Sequence, residues 1–128
     1  MDAGIFAHQV RITPDNRYAV LVTRGNEGTP TKAEDPGALK LFDYAGGRFA
    51  NKASVAPGGG YGFGPRHIDF HPQLPCVYVS LERQNKLQVW DFSNELLGEA
   101  PLFSTGTLAD ARHDHSLQKP GTVHVHPN

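Results

Sequence analysis

The chain has 128 residues, of which 38% are hydrophobic and 20% charged, and its formal net charge is −1. This balance gives no electrostatic reason to expect nucleic acid or an anionic membrane as partner. No apolar run approaches the roughly 20 residues that a spanning helix needs. Met1-Asp2-Ala3-Gly4 lacks the basic start and apolar core of a secretory signal. Cys76 is the only cysteine, so no intrachain disulfide can form, and a cytoplasmic location is expected, although a leader lost from the N-terminus would permit a periplasmic or secreted one.

In chain order, His8-Gln9-Val10-Arg11-Ile12 leads into Thr13-Pro14-Asp15, a strand followed by a turn. Tyr18-Ala19-Val20-Leu21-Val22 is rich in aromatic and branched residues and predicts a second strand. Leu39-Lys40-Leu41-Phe42-Asp43-Tyr44 alternates with period two and predicts a third. Arg48 to Val55 is assigned as a fourth mainly from its place in the unit. The glycine-rich stretch from Ala56 to Gly64 precedes a strand and not a helix, so a phosphate cradle is excluded. It is expected to be a flexible loop, with Tyr61 and Phe63 placed to cover a substrate.

The order then repeats. Gly64-Pro65-Arg66-His67-Ile68-Asp69-Phe70-His71-Pro72 opens a second unit, with Cys76 packing as a small apolar side chain where its second strand begins. Val77-Tyr78-Val79-Ser80-Leu81, Leu87-Gln88-Val89-Trp90-Asp91-Phe92 and Pro101 to Thr105 follow as further strands. Gly121-Thr122-Val123-His124-Val125-His126-Pro127 repeats the opening pattern once more. The three prolines, at 14, 72 and 127, stand 58 and 55 residues apart, a spacing that belongs to propeller blades. The expected fold is all-β: a partial β-propeller of four-stranded antiparallel blades over residues 1–128. It comprises a blade at about 8–56, a blade at about 64–106 and the opening strand of a third at about 121–126.

The stretch from Gly64 to Pro72, with Glu82 sixteen residues after Arg66 and Leu87 to Phe92 beyond it, resembles a blade of the lactonase family of seven-bladed propellers. That family includes propeller-type 6-phosphogluconolactonases and 3-carboxy-cis,cis-muconate cyclases. The resemblance covers about residues 8 to 128. It implies a functional set of His, Arg and Glu with one further Arg on the following blade, which by repeat spacing would fall beyond Asn128. Two blades cannot close a ring that needs at least about four. The chain is therefore expected to be a piece of a longer polypeptide or to assemble from several copies, with self-association through exposed blade edges.

Within a blade the first strand starts and the second ends at the same face, so Arg66 and Glu82 are expected at one mouth. Aligning the prolines makes His8 the counterpart of Arg66, and Arg24 the counterpart of Glu82, on the preceding blade. His8, Arg66 and Glu82 are the catalytic candidates, and Arg66, Arg24 and His67 the substrate-binding ones. His67 also fits a packing role, and His71 a turn. An Arg fork holds a carboxylate or phosphate, while His and Glu exchange protons near neutral pH. The expectation is that the full-length protein is a lactonase-type enzyme that hydrolyses a small anionic sugar lactone or cyclises an unsaturated dicarboxylate, with no cofactor, and that these 128 residues alone are inactive. The alternative is a non-catalytic propeller scaffold. His113, His115, His124 and His126 have a chelating period, but His113-Asp114-His115 sits in an irregular polar connection that nothing forces toward His124, so solvated loop histidines are the reading, not a metal site.

Overall fold

The structure, a computed structural model, describes residues 1–110, 112, 114 and 117–126. Eight strands form two sheets: β1 (Ala7–Ile12), β2 (Tyr18–Thr23), β3 (Ala38–Ala45) and β4 (Arg48–Val55), then β5 (Pro65–Phe70), β6 (Cys76–Leu81), β7 (Lys86–Asp91) and β8 (Pro101–Gly106). Each sheet is an antiparallel meander in chain order. The fold is that of two consecutive propeller blades, and no helix among the described residues is long and apolar enough to cross a membrane.

The turns that join the first two strands of each blade are built alike. Thr13 N donates to Tyr18 O (2.9 Å) and His71 N to Cys76 O (3.0 Å). Side chains at the same two positions finish the turns: Tyr18 N donates to Thr13 Oγ1 (3.0 Å), while Gln73 N and Leu74 N donate to His71 Nδ1. Cys76 begins β6, half-buried.

The blades share one apolar core. Tyr18, Val20, Val22, Leu39 and Leu41 from the first meet Ile68, Val77, Val79, Leu81 and Trp90 from the second. Their side chains alternate along each strand, so one face of each blade faces the other blade.

Three expectations change. The glycine stretch is pinned rather than loose: Pro57–Gly60 forms a short 3-10 turn, and Gly60, buried, accepts a hydrogen bond from Gly37 N (2.9 Å). Phe63 does not cover a substrate, because it is buried edge-on against Trp90 with ring centres 6.1 Å apart; Tyr61 points to solvent. Residues 121–126 form no strand. Among the described residues they have no ladder partner and are held through side chains, with Val125 N donating to Asp69 Oδ2 (2.9 Å). His113 and His115 lie outside the described residues. His124 Nε2 is 3.0 Å from Thr122 Oγ1, and its Nδ1 is 3.8 Å from Asp69.

Candidate functional site

The backbone at the mouth is irregular at equivalent places in both blades. The β1–β2 register slips between Ala7 and Gln9, and the β5–β6 register between Pro65 and His67. His8 and Arg66 are therefore the extra residues of two matching β-bulges, a device that re-aims a side chain out of the ladder. Each bulge is closed in the same way: Arg24 N donates to Phe6 O and Glu82 N to Gly64 O, both at 2.9 Å. Phe6 and Gly64, at corresponding positions, both have positive φ (58° and 53°).

Glu82 is the centre of the arrangement. It follows directly on β6 of the second blade and is only 2% exposed. Arg24 Nη1 donates to its Oε1 (2.7 Å), and Arg66 Nη1 donates to its Oε2. Burial pushes the Glu82 carboxyl up, but the hydrogen bonds from Arg66 and Arg24 and their charges outweigh burial and hold it below the usual carboxylate range. Arg24 is further fixed by lying over the Phe6 ring, 4.4 Å from its centre. The Nε atoms of Arg24 and Arg66 are buried without a hydrogen-bond partner.

His8 meets His67, the residue after Arg66, with ring centres 5.0 Å apart and planes at 70°. Its Nδ1 is buried and unpartnered. His67 Nδ1 lies 3.2 Å from Gly121 O. A carbonyl only accepts, so Nδ1 carries the proton and Nε2 is left as the acceptor when the ring is neutral. Burial holds His67 below its ordinary value, which the Gly121 carbonyl opposes and the charges of His8 and Arg66 reinforce. The structure thus gathers Arg24, Arg66 and Glu82 into one ion cluster, with His8 and His67 paired beside Arg66.

Two residues of the mouth escaped the sequence reading. Lys119 Nζ lies 3.0 Å from Glu27 Oε1 and 3.6 Å from Glu82 Oε1. The signal was present in the repeat: Lys119 precedes Pro127 by eight residues, as Phe6 precedes Pro14 and Gly64 precedes Pro72. Lys119 therefore occupies the place next to the bulge on the third unit. Glu27 sits in the β2–β3 connection and carried no pattern of its own.

The sequence model of the family described as lactonase, 7-bladed beta-propeller, matches residues 3–128. The chain belongs to this lactonase family. No curated protein and no solved structure matched the chain. For a member of the lactonase family, the two described blades supply neighbouring sectors of one mouth, and the ion cluster lies on the seam between them. Among the described residues, no group of three or more His, Cys, Asp or Glu is arranged to hold a metal ion.

Proposed function

We propose that this mouth is part of a lactonase-type active site acting on a small anionic sugar lactone such as 6-phosphogluconolactone. The observation that carries the reading is the buried Glu82 carboxylate clamped by Arg24 and Arg66 across two blades, with an imidazole pair at its side. Two guanidiniums joined to one carboxylate leave a net positive charge facing the channel, as an anionic substrate requires. Glu82, held ionised by both arginines, is a weak base. Its task is to fix the forks, and proton transfer falls to His8, with His67 packed against it.

In hydrolysis, water attacks the lactone carbonyl while the His8 imidazole accepts the water's proton. Arg66 stabilises the resulting oxyanion. The ring C–O bond then breaks, and the proton passes from His8 to the departing alkoxide, giving the open hydroxy acid. The same groups serve the cyclising direction on an unsaturated dicarboxylate, with Arg66 aligning the attacking carboxylate and His8 delivering the proton to carbon. Neither direction calls on a cofactor, and a cytoplasmic location goes with a lone cysteine. The open blade faces receive a further blade or a second copy of the chain.

The test compares the protein with its Arg66→Ala variant on a panel of sugar lactones, with native mass measured alongside. Turnover of an anionic lactone should fall by at least about a hundredfold in the variant. An unchanged rate sinks the enzyme reading and favours a propeller that serves as a binding scaffold.

A further inference from the structure

The cluster around Glu82 holds more positive charge than Glu82 can balance. Arg24 and Arg66 each take one of its oxygens. Lys119, at 3.6 Å from Oε1, stands outside hydrogen-bond range of a carboxylate that is already doubly paired. Its close partner is Glu27, on the rim of the mouth and half-exposed. Three cations thus face two carboxylates, a surplus of one positive charge. Each guanidinium is tied to Glu82 through its Nη1, whereas the Lys119 side chain is 41% exposed. It sits on a segment that no ladder fixes, and its hydrogen-bonded ion pair with Glu27 is of the exposed kind that exchanges readily.

We infer that Lys119 is a specificity-determining residue: it selects ligands that carry an anionic group remote from the reacting carbonyl, a phosphate or a distal carboxylate, by leaving Glu27 to bind that group at the mouth. Glu27 acts as the placeholder. A lysine suits this role because it is a point charge on a flexible stem that needs no fixed geometry at the anion. The substrate class rests on the lactonase reading, but the recognition itself does not require turnover.

The experiment measures binding of 6-phosphogluconate, cis,cis-muconate and gluconate by calorimetry, together with kcat and KM for the phosphorylated and unphosphorylated gluconolactones. The protein should bind 6-phosphogluconate or muconate more tightly than gluconate, and the member of that pair whose preference depends on Lys119 identifies the group recognised. In Lys119→Met the preference should shrink about fivefold, while Lys119→Arg retains most of it. Glu27→Gln should strengthen the preference, because the ammonium no longer has to leave a partner. With turnover, the loss in Lys119→Met should fall on KM and leave kcat largely in place. A preference unchanged in Lys119→Met, or no binding of either 6-phosphogluconate or muconate, overturns the inference. Turnover with an unchanged preference removes the role of Lys119 alone, whereas a Lys119-dependent preference without turnover of any lactone removes the lactonase reading and leaves the anion site standing.

Discussion

At the residue scale, Glu82 has the most to lose. Its carboxylate is buried between two guanidiniums, so Glu82→Gln leaves two part-buried cations sharing one neutral acceptor. A loss of about 2 kcal/mol is expected, read from the midpoint of chemical denaturation. The pH dependence follows from the depressed value in the folded chain. Glu82 contributes its full stabilisation above the ordinary carboxylate value of 4.5. As pH falls below that, the unfolded state takes up a proton first and the contribution is lost through the folded value. Acid titration of the protein should therefore show a loss of stability below about pH 4.5 that is shallower in Glu82→Gln, and equal slopes in the two proteins would contradict the clamp. Arg66 and Glu82 could be assigned to one mouth from their spacing alone. The opposing pulls of burial and of the two arginines on Glu82 could not, because they depend on how deeply the seam is closed.

At the scale of elements, the two bulges and the glycine stretch decide where the site residues point. His8 and Arg66 look like ordinary strand residues in the sequence, because a bulge changes hydrogen-bond register without disturbing the apolar alternation that marks the strand. The glycine stretch looked loose because its glycines share no local pattern. Its rigidity comes from Gly37, over twenty residues away. A Cβ on Gly60, whose φ is +87°, would strike the Gly37 carbonyl and stand 2.9 Å from Pro36 Cβ. Gly60→Ala should thus cost about 2 kcal/mol or more, through backbone strain together with the clash. A thermal melt of this variant within a degree of the unmodified protein would show that the loop is free.

At the scale of the whole molecule, the two blades are unequally covered. Ile68, Val77, Val79 and Trp90 of the second blade are fully buried against the first. Of their counterparts on the first blade, Ala19 and Phe42 are covered as well, but Val10 and Leu21 open with Met1 and Phe49 onto an apolar hollow. Val10 is 55% exposed where Ile68 is 0%. An open face of this kind favours association. Light scattering should give a mass above 13.9 kDa that rises with concentration, and the double variant Val10→Lys, Phe49→Lys should lower it. A dilute sample that stays monomeric and unfolds cooperatively would remove this expectation.

The sequence alone determined the blades, because strand alternation, turn residues and a repeat of 58 and 55 residues are local or periodic properties carried by side-chain type. It also brought Arg24, Arg66 and Glu82 to one end of the sheets, since antiparallel pairing fixes which strand ends meet. Only the tertiary structure decided which charges pair across the seam, that His8 packs on His67, that Phe63 belongs to the core, and that Lys119 and Glu27 share the mouth. Those outcomes depend on how the two sheets stack and on bulges and loop contacts between distant residues, and no periodic pattern along the chain records them.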